Sequence, residues 1–267
     1  MSTAAEPVEE NVEGIPVVCV PPTARPRGLA LWLTHLGGSM QRARPMLDKL
    51  AAAGFLAVSF DPPQHGRRST GDPWAFAQEV LSSFRRRMWP LLGLTVLESV
   101  RVLDWTTERY GALPIVAGGI SMGGDVSIAL AGIDQRVQRV CALAATPDWT
   151  RPHMHRLDDP QRMIDQGQAD RYAQWFYDHL DPMTHAGRYR RSVALRFHSG
   201  AADRHVPIDD AIAFRDSVSA IAPDAADRIE VVTEEGASHL DIDDRFYGAA
   251  VGWLSSSLSR SPSHRSG

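Results

Sequence analysis

Short apolar runs recur along the chain, and helical patterns separate them. IPVVCV (15–20), LALWLTH (29–35), FLAVSF (55–60), LPIVAGG (113–119), VQRVCALAA (137–145), VALRFHSG (193–200) and RIEVVT (228–233) all read as strands. The run LALWLTH has no polar alternation until its end. It has no face to offer water, so it reads as a strand covered on both sides. Between the runs, apolar residues recur at helical spacing. Met46, Leu47, Leu50 and Ala53 form one such stripe, Val96, Val100 and Leu103 a second, and Val126, Ala129, Leu130 and Ile133 a third. Ser39 is expected to cap the first helix and Gly54 to stop it. RYG (109–111) ends the second, and a last helix is expected near 244–258. Strict alternation of this kind predicts an α/β fold, a mostly parallel central sheet with helices on both faces.

The rhythm breaks once, at residues 147–190. This segment holds turns and short helical pieces rich in Trp, His, Met and Tyr. It reads as a small helical lid inserted over the C-terminal edge of the sheet, where such sheets bind ligands. Residues 15–258 then form a single domain. Residues 1–14 and 259–267 are polar and are expected to be flexible segments.

With 267 residues, 43% of them hydrophobic, the chain can bury one large core. The net charge of -4 comes from intermixed arginines and acids, which excludes a polyanion-binding surface and so a nucleic-acid partner. No apolar run is long enough to span a bilayer, and MSTAAEPVEENVEG lacks the apolar centre of a secretory signal. Cys19 and Cys141 both lie inside strand-like runs and are expected to be free buried thiols in a reducing cytoplasm. A homodimer is left open.

The stretch GGISMGGD (118–125) lies between a strand run and a helix run. Gly119-Ile120-Ser121-Met122-Gly123 in that context predicts a sharp turn that lifts Ser121 into a cleft as a nucleophile. Side chains two positions either side of the serine would collide with the turn, so glycines stand there. A serine needs a base and the base needs an orienter, in the chain order Ser, acid, His, each after a later strand. Asp203 follows the run ending near Ser199, and His239 follows the run ending near Thr233. Asp241 and Asp243 stand in the wrong order, His198 lies within a strand, and His205 is too close to Asp203 in sequence to sit across the site from it. Asp125 is expected to cap its helix or face solvent. An anionic intermediate needs two N–H donors. Met122 is one; the loop THLGGS (34–39) supplies the other, from Leu36 or Gly37.

HLGGS, DPPQHGRRS (61–69), GISMGG, SGAADRHVP and GASHL together resemble the α/β-hydrolase superfamily over about residues 15–258. DPPQHGRRS and the run before Asp203 are similar to the branch of dienelactone-hydrolase-like and prolyl-oligopeptidase-like esterases. Many relatives carry His-Gly before the oxyanion residue, whereas here Leu36 follows His35, so both oxyanion candidates stay open. The resemblance implies a serine hydrolase that cleaves carboxylic esters of small or medium size through an acyl-enzyme. Thioesterase, lactonase, peptidase or amidase, and acyltransferase chemistry use the same triad, and a non-catalytic binding protein is a further alternative. Trp149, Met154, Trp175 and Phe176 are expected to roof the substrate pocket. His65 is expected beside the substrate, holding a nearby loop. His153 and His155 alternate in RPHMHR but lack a third ligand, so neither a metal nor a cofactor is expected.

Overall fold

In the computed structural model, which describes residues 6–256, eight strands share one sheet. They are β1 (Val8–Val12), β2 (Ile15–Val20), β3 (Gly28–Leu33), β4 (Phe55–Phe60), β5 (Ile115–Ile120), β6 (Val137–Leu143), β7 (Ala194–Gly200) and β8 (Ile229–Glu234). Their order across the sheet is β1-β2-β4-β3-β5-β6-β7-β8. β1 and β2 run antiparallel to their neighbours, and every pairing from β4 to β8 is parallel. All residues of β2, β3 and β4 are buried, as their unbroken apolar runs require.

Period-two alternation divides the core into two halves. Along β3, Leu29, Leu31 and Leu33 join the layer formed with helices α3 (Phe84–Tyr110), α4 (Met122–Ile133) and α6 (Asp209–Ile221). Ala30 and Trp32 point the other way, onto α1 (Arg44–Ala52) and α8 (Asp244–Ser255). Each fully buried Leu, Val or Phe contributes about 1.5–3 kcal/mol. No helix among the described residues is long and apolar enough to cross a membrane. Cys19 and Cys141 are free and buried, and burial pushes both thiols up to about 12.

The structure departs from the sequence reading in several places. Residues 8–12 are not a flexible leader; they form the edge strand β1, which pairs Val8 with Cys19 and Val12 with Ile15. Glu9 and Glu10 lie on that edge and pair with Arg67 and Arg109, so a structured edge reads as an acidic tail. Ser39 does not cap α1. The helix starts at Arg44 with proline in its first turn, and Ser39 Oγ instead accepts from the Arg42 N–H at 3.4 Å. The long helical region after β4 is two helices, α2 (Pro73–Ser82) and α3, broken at Ser83. Helices α6 and α7 (Pro223–Ala226) carry no expectation at all. Of the insertion, residues 171–180 form α5 (Arg171–Leu180), and most of the remainder is loop. The expected tail at 259–267, and residues 1–5 of the expected leader, lie outside the described residues.

Candidate active site

The C-terminal ends of the parallel strands gather the chemistry-bearing residues. Between β5 and α4 the backbone turns so sharply that Ser121 adopts φ 51° and ψ -118°, a region that costs a residue with a side chain about 1–3 kcal/mol. Its N–H donates to the Leu143 carbonyl at 2.8 Å, and its own carbonyl accepts from the Asp125 N–H at 3.0 Å. Both flanking glycines are sterically required. A Cβ on Gly119 would lie 2.4 Å from the Gly123 carbonyl carbon, and one on Gly123 would lie 2.4 Å from the Leu33 carbonyl oxygen.

Ser121 Oγ lies 3.2 Å from His239 Nε2, and His239 Nδ1 lies 2.8 Å from Asp203 Oδ2. The other carboxylate oxygen of Asp203 accepts from the backbone N–H groups of His205 (2.9 Å) and Val206 (2.8 Å). Asp203 is therefore clamped, buried, and aimed at one nitrogen of His239. The loop bearing His239 is tied on both sides. The Ala202 N–H donates to the Ala237 carbonyl at 2.9 Å, and the Asp241 carboxylate accepts from both the N–H and the hydroxyl of Ser238. Asp241 thus shapes the histidine loop.

Of the oxyanion candidates, Met122 and Leu36 remain. Met122 opens α4, where a backbone N–H has no intrahelical partner, and the Leu36 N–H also has none among the described residues. Gly37 is corrected: its N–H donates to His65 Nε2 at 2.9 Å and is not free for a substrate. His65 holds this nearby loop but does not face the substrate cleft, so only its expected place beside the substrate is corrected. His65 is 1% exposed, packs edge-on against Phe76, and donates from Nδ1 to the Pro63 carbonyl at 2.9 Å. Burial lowers its pKa and keeps the ring neutral, so it braces the Leu36–Gly37 loop from behind. Asp61 ties the same loops together, accepting from the Met40 and Arg67 N–H groups at 2.8 Å each.

Above these groups opens a cleft of about 750 Å³. Ser121, His239, His35 and Leu36 stand at its reacting end. One wall is α2, through Trp74, Ala77 and Leu81, with Met88 from α3 below it. The facing wall is the loop from Arg156 to Asp165, including Leu157, Met163 and Ile164. Leu240, Ile242 and Tyr247 close the side next to His239.

The four expected roof residues do not line this cleft. Trp149 is fully buried in the core, where its backbone N–H donates to Asp181 Oδ1 at 2.8 Å and its backbone carbonyl accepts from Trp89 Nε1 at 2.7 Å. Met154 is buried in the same core cluster. Phe176 faces α3 with Ala173 and Leu180, close over Gly93, where a Cβ would meet its ring at 2.1 Å. Trp175 points the opposite way, 50% exposed, and stacks on His179. The segment reaches the cleft through its loop and not through these aromatics, because α5 uses its apolar stripe to dock on α3. A wall from α2 has no counterpart in the sequence reading, although exposed Trp74 in a run that begins Asp72-Pro73 was its available signal.

Two further residues are placed unexpectedly. Asp125 neither caps its helix nor faces solvent. It is fully buried, accepts from the Thr146 N–H at 2.8 Å, and forms an ion pair with the equally buried Arg151. His205, set aside for its closeness to Asp203, lines the cleft with its ring 4.7 Å from that of His239. Sequence proximity says how far apart two α-carbons are along a turn, but not which way each side chain leaves it. Among the described residues no group of three or more His, Cys, Asp or Glu could hold a metal ion.

The family model described as alpha/beta hydrolase fold matches residues 33–192. No curated protein matches the chain in sequence. Among solved structures, TT1662 from Thermus thermophilus aligns with a TM-score of 0.72 at 25% identity, over 94% of this chain and 97% of its own. A candidate dienelactone hydrolase from Klebsiella pneumoniae aligns with a TM-score of 0.65 at 15% identity, over 93% of this chain and 95% of its own. The Pyrococcus furiosus esterase Pf2001 gives 0.65 at 14% identity, over 95% and 89%. The last two share the fold with this chain at identities that speak to fold alone.

Proposed function

The chain belongs to the alpha/beta hydrolase fold family, and on that premise we propose that it is a serine hydrolase that cleaves carboxylic esters of small or medium substrates. The observation that carries this reading is the single hydrogen-bonded chain from Ser121 through His239 to Asp203, at 3.2 and 2.8 Å. Ser121 Oγ attacks the ester carbonyl while its proton passes to His239 Nε2. The oxyanion that forms is held by the N–H groups of Leu36 and Met122. His239 then returns the proton to the leaving alkoxide, which departs as an alcohol and leaves Ser121 acylated. A water molecule, deprotonated by His239, attacks the acyl carbon, and the carboxylic acid leaves as Ser121 regains its proton. Asp203 holds the His239 ring with Nε2 toward the serine and stabilises the imidazolium.

The cleft supports esters over polymers. It has about 750 Å³ between two side-chain walls, a size suited to a small molecule. Buried free thiols accord with a reducing cytoplasm as the working compartment. The test is a panel of aryl esters, alkyl esters, thioesters, lactones and amino-acid amides, run on wild type and Ser121→Ala together. The expected result is ester turnover that Ser121→Ala abolishes, with a fluorophosphonate attached to Ser121 by peptide mass spectrometry. Turnover that survives in Ser121→Ala, or a panel favouring thioesters or amides over every ester, would overturn the reading.

A further inference from the structure

His205 is a titratable side chain in ring contact with His239 that the proposed mechanism does not use. It sits two residues after Asp203, on the turn whose N–H groups clamp that carboxylate. The turn sends its ring into the cleft, where it meets the His239 ring edge to face at 4.7 Å. Its Nδ1 lies 2.7 Å from the His155 carbonyl. A carbonyl can only accept, so Nδ1 carries the proton and donates it. In the neutral ring Nε2 is then left with a lone pair. That nitrogen has no partner among the described residues, although the residue is only 6% exposed. Burial, followed by the neighbouring His239 and Arg151, pushes the imidazole well below its usual pKa, so the ring stays neutral and its lone pair stays available.

The position of this acceptor determines what it can read. In the proposed mechanism, His239 hands its proton to the leaving oxygen, so groups packed against His239 stand beside the leaving alcohol. The oxyanion donors Leu36 and Met122 belong to the other loops at the reacting end. A lone acceptor in a buried wall favours a ligand that brings a donor, because an unmatched polar atom facing an apolar group loses its hydrogen bond to water.

We propose that His205 Nε2 accepts a hydrogen bond from the leaving group, so that the enzyme selects esters whose alcohol portion carries a second hydroxyl, as in monoesters of diols and polyols. The proposal rests on the serine-hydrolase reading of the same site. It makes His205 a specificity-determining residue and assigns it no proton transfer.

The experiment compares kcat/KM for ethyl butyrate, 2-hydroxyethyl butyrate and 2-methoxyethyl butyrate. These share one acyl group, and only the second offers a donor. Wild type is expected to favour the hydroxyethyl ester over the other two by about three- to tenfold, the worth of one neutral hydrogen bond. His205→Phe keeps a ring without the acceptor, and its preference is expected to fall to about one. His205→Gln, which can turn a carbonyl oxygen toward the same spot, is expected to restore part of the preference. The methoxy comparison needs no variant, so the proposal can fail even where His205→Phe does not fold. Equal handling of hydroxyethyl and methoxyethyl esters by wild type overturns it, as does a preference that survives in folded His205→Phe. Ser121-dependent turnover without donor preference sinks the His205 assignment alone. No turnover of any of the three esters sinks it too, and the wider ester panel with Ser121→Ala then decides separately whether the hydrolase reading stands.

Discussion

The reacting end of the cleft and its walls are built on different principles. At the reacting end, position is dictated over a few residues by backbone sterics. Gly119 and Gly123 leave no room for a Cβ, Ser121 is forced to positive φ, and Asp203 is clamped by two N–H groups of its own turn. The walls are assembled from distant segments. Helix α2, the loop from Arg156 to Asp165 and Leu240 meet only because the sheet brings them to one edge. The contrast shows that local strain aims the reacting groups, while packing partners decide which apolar side chains are left facing substrate. Trp149 and Trp74 illustrate this. One is wholly inside the core and the other 66% exposed at the cleft, and nothing in either side chain's chemistry distinguishes them.

The largest expected effect tests the reacting end. Ser121→Ala and His239→Ala are each expected to lower kcat for the best ester by about three to six orders of magnitude. The double variant should lose little more than either single one, because the residues act as a unit. Steady-state kinetics on purified, folded variants checks this, and additive losses would mean that the reacting residues are paired wrongly.

Next in size is the core side of the comparison. Trp149→Ala is expected to destabilise by about 3–5 kcal/mol, the range for emptying a buried aromatic site. Its chain-length profile of kcat/KM across acyl esters should stay that of wild type below the melting transition. Denaturant unfolding and a substrate series measure the two halves. A shifted profile with unchanged stability would return Trp149 to the cleft.

A smaller effect separates the two regions by pH. Burial, with lesser repulsion from Asp148, raises the carboxyls of both Asp181 and Asp210 to about 7. Both pKa values lie above the unfolded value of 3.8, so the folded state holds more protons between these limits. These two groups therefore make stability fall as pH rises from about 4 to about 7, with no further loss above that. Asp181→Asn cannot titrate, and its melting temperature should fall less over this interval than that of wild type. Parallel melting curves for the two proteins would place the Asp181 titration elsewhere.

The smallest effects sort the exposed tryptophans. Trp74→Ala is expected to change kcat/KM for longer acyl or alcohol chains by about four- to fifteenfold, on the order of one or two methylene contacts at about 0.8 kcal/mol each, and to spare the smallest ester. Trp175→Ala, half exposed and stacked among the described residues on Phe176 and His179 of its own helix, should leave that profile alone and change stability by about 0.5 kcal/mol or less. The same substrate series, run on both variants, decides between them.

The mostly parallel character of the sheet, and the placement of Ser121, Asp203 and His239 just past β5, β7 and β8, are legible in the chain itself. Each rests on a short-range rule: unbroken apolar runs must be covered on both faces, a serine between crowded glycines must sit on a sharp turn, and parallel strands end at a common edge. Residues 8–12 escaped the same reading because an edge strand guarded by Glu9 and Glu10 looks polar until its Arg67 and Arg109 partners are known. Tertiary structure alone decided that Gly37 gives its N–H to His65, that Phe176 turns to α3, that Arg151 is buried with Asp125, and that His205 faces His239. In each case the partner is at least 26 residues away along the chain, and the direction of a side chain toward so distant a partner is set by the packing of whole elements, which no local pattern of residues encodes.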